Sequence, residues 1–165
     1  MISRACSIIA IIADHIYSLE AMRLWAWAGL RSASWGEWMA QNSLEQRRAA
    51  IALETVNRIK GKGYEGKFRS YVVRLPASIV MNGLGQALAS ELAAAGRGEV
   101  GKSDKEAHES LYEAIKNWLL AERKIYPEKS DLMSAIVSGS QDQYVLAQAE
   151  ALAYLEWLKK FSQAF

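Results

Sequence analysis

Apolar residues recur at intervals of three and four along most of the chain, which is the spacing of one face of an α-helix. In the first clear segment, residues 43–60, the repeat consists of Ala49, Leu53, Val56 and Ile59. Glycines follow at positions 61 and 63, where a helix commonly ends. No segment alternates between apolar and polar residues as a half-buried strand does. The pattern predicts an all-α fold, a single-domain bundle of about six helices.

Two breaks are predicted in the middle of the chain. Because a proline disfavours helical geometry in the residue before it, Leu75-Pro76 predicts the end of a short helix over residues 67–74 and the start of another at the proline. Asn82-Gly83 predicts a second break, since both residues tolerate a left-handed backbone. Helical spacing then resumes over residues 84–95.

The second half of the chain contains two matches to a helix capping box. Ser103 with Glu106 predicts a helix that runs to about Lys124, and Ser140 with Gln143 predicts a long C-terminal helix. A short helix is predicted between them, over residues 131–137.

Residues 1–38 differ in composition from the rest, with four of the six tryptophans and no lysine. The codons for Trp35-Gly-Glu-Trp-Met39 place a purine-rich stretch just before an AUG, where a bacterial ribosome-binding site would lie. We therefore expect Met39 to be the natural start, residues 1–38 to be a non-native or poorly integrated extension, and residues 39–165 to form the helical domain. The alternative is a genuine amphipathic N-terminal helix that docks on the body or on a partner.

The formal net charge is only +2, but it is unevenly distributed. Between Arg47 and Arg74 there are eight basic residues and two acidic ones, a balance of +6, so the remainder sums to −4. This asymmetry fits a basic face for nucleic acid or an acidic partner, and it equally fits a solvated helix surface.

One enzymatic motif stands out. Gly96–Ser103 matches the P-loop pattern G-x-x-x-x-G-K-S at every fixed position, but a P-loop follows a buried strand and residues 89–95 are helical in pattern. A connector between helices, with Ser103 as a helix cap, is the simpler interpretation. Two histidines and one cysteine leave little material for a metal site, a catalytic triad or a disulfide, so the sequence predicts no cofactor and a reducing cytoplasm.

The stretch Tyr71-x-x-x-Leu-Pro-x-x-Ile-x-x-Asn-Gly-Leu-x-Gln-Ala-Leu88 resembles the core signature of the small helical subunit of the Cmr complex, the type III-B CRISPR RNA-silencing machine. Gln46-Arg-Arg-Ala-Ala50 and the closing residues 144–161 resemble the same family, so the likeness covers roughly residues 46–164. These motifs consist mostly of packing residues, and they identify a family better than they identify a site.

The resemblance implies an all-helical, non-catalytic protein, several copies of which line the effector alongside the repeated backbone subunit and help to form a channel for guide RNA and target RNA. It implies no membrane partner. The candidate RNA contacts, chosen for charge and clustering, are Arg47, Arg48, Lys60, Lys62, Lys67, Arg69 and Arg74.

Three polar residues of the signature are candidates for a subunit contact or for the helix break: Tyr71, Asn82 and Gln86. For Asn82 and Gln86 we favour the capping role. Two alternative functions stay open, a small P-loop nucleotide-binding protein that uses Gly96–Ser103 and a helical protein–protein adaptor that uses the acidic end.

Overall fold

Helices account for most of the chain that the structure describes. The computed structural model describes residues 43–96, 101–127, 129 and 131–165. Its elements are α1 (Leu44–Ile59), α2 (Glu65–Asn82), α3 (Leu84–Gly96), α4 (Lys102–Lys116), a π-helical turn (Asn117–Glu122), α5 (Leu132–Ser138) and α6 (Gln141–Ala164). These ranges contain no strand, so the prediction of an all-α bundle of about six helices is confirmed. The expected boundary at Met39 lies outside the described residues.

The core lies between the two long helices α2 and α6 and their neighbours. α1 packs on α6, α4 packs on both α2 and α3, and α2 also contacts α6. Trp118 of the π-helical turn stacks on Tyr154 of α6, with ring centroids 5.2 Å apart and planes 8° from parallel. Both side chains are fully buried. Burial raises the pKa of the Tyr154 phenol to about 12, against a smaller opposing effect of its hydrogen bond with Thr55.

The predicted break at Pro76 is wrong, because α2 continues through it to Asn82. A proline inside a helix costs about 3 kcal/mol, since it removes one backbone hydrogen bond and crowds the preceding turn. The buried face of α2 consists of Phe68, Val72, Leu75 and Ile79. Burying a large apolar side chain contributes about 1.5–3 kcal/mol, so this continuous face on both sides of the proline offsets its cost.

The break at Gly83 is confirmed. Gly83 has φ +82°, and a Cβ atom there would lie 2.7 Å from the hydroxyl oxygen of Tyr144. The backbone amides that begin α3 are satisfied from α6, because Leu84 N donates to Gln148 Oε1 at 3.1 Å and Gly85 N donates to the Tyr144 hydroxyl at 3.3 Å. The side chains of Asn82 and Gln86 are exposed. The break is therefore capped from α6, and the capping role that we favoured for Asn82 and Gln86 is not theirs.

One capping box is confirmed and the other is wrong. Ser140 Oγ accepts from Gln143 N at 3.2 Å, and Gln143 Oε1 accepts from Ser140 N at 3.0 Å, at the start of α6. α4 instead begins at Lys102, with Gly101 as its N-cap and no side-chain cap. The extended backbone of Gly101, with ψ 149°, starts the helix before Ser103 is reached.

The last helical part before the Tyr126-Pro127 turn is wider than an α-helix. The π-helical turn ends at Glu122, and Lys124 has φ +50°, in the left-handed region that lysine seldom adopts. The prediction of a helix to about Lys124 is therefore correct to within two residues.

Candidate nucleic-acid interface

The structure places Arg48 inside the fold rather than on its surface. Arg48 is 9% exposed, and its guanidinium donates to both carboxylate oxygens of Glu150 in α6, at 2.9 Å and 3.0–3.2 Å. It also pairs with Glu45 on its own helix. The second cation on Glu150 is Arg123, which follows the π-helical turn and lies 3.0 Å from Oε1. Two arginines thus share one buried carboxylate and tie α1, α6 and the end of the π-helical turn together.

Arg47 is half-buried beside this cluster. Its Nη2 donates to the backbone oxygen of Glu122 at 3.1 Å, so it satisfies one of the carbonyl groups at the end of the π-helical turn. No carboxylate of the described ranges lies within ion-pair distance of it. Arg47 therefore keeps its full charge while its position is fixed.

Two further candidates are already neutralised at the start of α2. Lys67 Nζ and the Tyr71 hydroxyl both donate to Asp104 of α4, at 2.6 Å each. Arg69 pairs with Glu65 at 3.2 Å, one turn earlier on the same helix. The hydrogen bond from Lys67, followed by that from Tyr71, lowers the pKa of the Asp104 carboxyl. The hydrogen bond to Asp104 raises the pKa of the Tyr71 phenol.

The ring of Tyr71 also covers a buried histidine. Tyr71 stacks on His108 of α4 with centroids 3.9 Å apart and planes 14° from parallel. His108 Nδ1 lies 2.6 Å from Glu91 Oε2 of α3, and both residues are buried. The two residues join α3 to α4. This pair was not predicted from the sequence. Its sequence signal is the position of Glu91, three residues after Leu88, on the core-facing side of α3.

The remaining candidates are exposed and have no carboxylate within 4.0 Å in the described part of the chain: Lys60, Lys62 and Arg74. Lys60 and Lys62 lie in the turn after α1. Lys62 Nζ donates to the Tyr64 hydroxyl at 3.2 Å, and Arg74 lies over the Tyr71 ring at 4.9 Å. Each of these cations keeps a charge that can attract an anion.

The described ranges were also compared with the requirements of a metal site, a membrane-spanning helix and a P-loop. They contain no group of three or more histidine, cysteine or acidic side chains that could hold a metal ion. They also contain no helix that is both long and apolar enough to cross a membrane. The Gly96–Ser103 motif lies partly outside the described residues, and the element before it is helix α3.

The fold and the surface define a small all-α domain that presents separated cations. Residues 44–165 match the family model described as CRISPR-associated protein (Cas_Cmr5), and the chain belongs to this family. It is 32% identical over 134 residues to the CRISPR system Cmr subunit Cmr5 of Thermus thermophilus, and the match covers 81% of this chain and 94% of that protein.

The comparison of folds gives the same result. The X-ray crystal structure of a CRISPR-associated Cmr5 family protein from Thermus thermophilus superimposes with a TM-score of 0.58 at 29% identity, covering 75% of this chain and 97% of that one. The resemblance found in the sequence, centred on Tyr71 to Leu88, is confirmed.

Proposed function

We propose that this chain is a non-catalytic small subunit of a type III-B CRISPR (Cmr) effector in the cytoplasm, where it helps to assemble the filament and to bind guide and target RNA in antiviral defence. Membership of the Cas_Cmr5 family supports the subunit role. The single observation that supports RNA binding is that four of the seven candidates selected from the sequence have no carboxylate partner among the described residues: Arg47, Lys60, Lys62 and Arg74.

The proposed contacts are to phosphates and do not read sequence. Lysine and arginine neutralise phosphates by replacing condensed counterions, and base pairing between guide and target supplies the specificity. Lys67 and Arg69 are weaker candidates, since a phosphate must compete with Asp104 and Glu65 for them. Arg48 leaves the proposed set because both oxygens of Glu150 occupy its guanidinium.

Exposed apolar surface supports the assembly role. A groove of about 540 Å³ lies between α2 and α6, lined by Pro76, Ala77, Val80, Met81, Leu152, Ala153 and Glu156. Val80 is 70% exposed and Met81 82% exposed. Contiguous apolar surface of this kind commonly marks a protein contact. The proposed partners are the other Cmr subunits, especially the repeated backbone subunit and further copies of this chain.

The salt dependence of RNA binding tests the proposal. We expect the variant Arg47→Ala/Lys60→Ala/Arg74→Ala to reduce the slope of log affinity against log salt for single-stranded RNA by about 0.7 for each phosphate that is no longer neutralised. The matched control is Lys102→Ala/Lys159→Ala/Lys160→Ala, which removes the same charge elsewhere. An equal slope in both triple variants would show that overall charge, not this surface, binds RNA.

The structure gives less support to the alternatives. The P-loop hypothesis requires a buried strand before Gly96, where the structure has helix α3. The adaptor hypothesis predicts co-purification with unrelated proteins, whereas the proposed function predicts Cmr subunits and guide RNA. Co-purification from the native cell therefore separates these two.

A further inference from the structure

The exposed apolar side chains of the described ranges are concentrated on one surface. Seven large apolar side chains are exposed there. Five of the seven lie on the outer stripes of α2 and α6, and these are Val73, Val80, Met81, Val145 and Leu146. The groove between α2 and α6 joins the two stripes, and we call the whole surface the α2–α6 face. Scattered exposed apolar residues need no explanation, whereas a continuous apolar surface commonly marks a protein contact.

The groove on the α2–α6 face has the shape of a site for a third helix. Ala77 of α2 and Ala153 of α6 both line it, and their short side chains allow the backbone of another helix to approach closely. The α6 stripe from Val145 to Glu156 is about 16 Å long, which equals three helical turns. An amphipathic helix binds such a groove through apolar side chains at i, i+3, i+4 and i+7.

One charge lies at the edge of this groove, and it is a carboxylate. Glu156 is the only ionisable residue that lines the groove. No lysine or arginine of the described ranges lies within 4.0 Å of its carboxylate. Lys160, one turn later on α6, lies over the Trp157 ring instead, 5.2 Å from its centroid. A helix that covers the groove removes water from around Glu156, so its binding is favoured by a lysine or arginine at that end.

The same charge disfavours two other occupants. RNA phosphates require cations, and the α2–α6 face has none. A second copy that pairs through the same face would bring no cation to Glu156, because a two-fold contact places a surface against itself. The features of the face therefore favour a different polypeptide.

We propose that the α2–α6 face binds an amphipathic helix of another Cmr subunit, about three turns long, with its apolar side chains in the groove and a lysine or arginine against Glu156. The inference rests on the proposed function, to which it adds the surface and the chemistry of the partner.

Photo-crosslinking in the assembled effector tests the occupant. The full chain carries p-benzoylphenylalanine in place of Met81 and is assembled with the other Cmr subunits and guide RNA. We expect mass spectrometry to identify a crosslinked peptide of another subunit with apolar residues at helical spacing and a lysine or arginine near one end. The matched control places the same photoreactive group at Val137 on α5, which is 81% exposed and should not crosslink to that peptide.

The affinity of the crosslinked peptide, synthesised with a fluorescent label, tests the contacts. Val80→Asp/Met81→Asp should weaken its binding by at least about tenfold, since two apolar contacts are lost, while Val137→Asp should bind as the wild type does. Glu156→Lys should weaken binding about tenfold because an attraction becomes a repulsion, and Glu109→Lys on α4 is its control. Exchanging the basic residue of the peptide for glutamate should restore binding to Glu156→Lys.

Each outcome decides the proposal. A crosslink to RNA or to a second copy of this chain, or the absence of a crosslink, would overturn the assigned occupant. Equal peptide affinity in the α2–α6 variants and their controls would overturn the site, as would a failure of the charge exchange to restore binding. Assembly is measured in parallel. If the wild type and Val80→Asp/Met81→Asp assemble equally well with the Cmr subunits and guide RNA, the groove is rejected and the proposed function stands. A wild type that does not assemble with them would overturn both.

Discussion

The two ends of helix α1 carry the same kinds of basic residue in opposite situations. Near its start, Arg48 is 9% exposed and holds a buried carboxylate of α6. At its end and in the following turn, Arg58, Lys60 and Lys62 are exposed, and Arg58 lies 4.0 Å from Glu54. The first end uses its charge to hold the fold together, and the second leaves its charge free for an external anion.

The difference between the two ends follows from what each end faces. The start of α1 faces the middle of α6, where Glu150 requires a cation because an unpaired buried carboxylate is very costly. The end of α1 faces the outer surface of α4, where Glu109 and Glu113 each have a lysine about one turn away. A basic cluster in a sequence can therefore contain both structural and available charges, and only the packing separates them.

The largest predicted effect follows from replacing Arg48. Arg48→Ala would leave Glu150 with Arg123 alone, 3.0 Å away, so we expect a loss of unfolding free energy toward the lower end of the about 3–5 kcal/mol that a fully unpaired buried charge costs. Urea unfolding followed by circular dichroism measures the change. Arg58→Ala on the same helix is the control, and we expect a shift within about 0.5 kcal/mol because its side chain is exposed.

Arg48→Lys keeps the test decisive if the alanine variant does not fold. Lysine preserves the charge and loses the bidentate geometry, so it should be destabilised less than alanine and more than Arg58→Ala. Equal unfolding midpoints for the Arg48 and Arg58 variants would break the comparison between the two ends of the helix.

Much of the fold could be predicted because helix periodicity is a local property. The break at Gly83 and the capping box at Ser140 were visible for the same reason, since each depends on neighbouring residues. The predicted break at Pro76 was wrong because burial of the α2 face on both sides of the proline outweighed its local preference against a helix. The predicted start of α4 was wrong because Gly101, not Ser103, is the N-cap residue.

The candidate site was harder to predict because it depends on distant partners. The Glu150 partner of Arg48 lies 102 residues later in the chain, and no pattern near Arg48 reveals it. The predicted stripe of α1 is correct at Val56 and Ile59, which are buried, but Ala49 and Leu53 are only half-buried. Ile51, Ala52 and Thr55, which lie outside the predicted stripe, are buried. Helix α1 itself contains Ala49, Ala50 and Ala52, so hydrophobicity alone does not determine which of its faces is buried.

The second predicted effect concerns the buried pair between α3 and α4. Glu91→Ala would remove the partner of His108 and leave its ring nitrogen unsatisfied beneath Tyr71, at a cost of about 1–3 kcal/mol. The control is Glu106→Ala, which removes a carboxylate 3.9 Å from the exposed Lys102 and should change stability by less than about 0.5 kcal/mol. Equal urea midpoints for the two variants would mean that burial does not distinguish the structural carboxylate Glu91 of α3 from the exposed carboxylate Glu106 of α4.

The smallest predicted effect concerns Asp104, which is intermediate between the two classes because its lysine partner is 42% exposed. Lys67 and Tyr71 lower the pKa of Asp104 in the folded state, so the folded state binds fewer protons at this carboxyl than the unfolded state does. Its contribution is therefore complete above the ordinary aspartate pKa of 3.8 and is lost as the pH falls through the lower folded value. We expect Asp104→Asn to be less stable than the wild type at neutral pH.

The pH dependence distinguishes this charge effect from simple packing. The stability difference between Asp104→Asn and the wild type should shrink as the pH falls below about 4, because the wild-type carboxyl then becomes protonated and neutral, as the asparagine is. Asp142→Asn, an exposed carboxylate in the first turn of α6, is the control and should show a smaller difference at every pH. A difference for Asp104→Asn that stays constant through the acid range would mean that its hydrogen bonds, and not its charge, join α2 to α4.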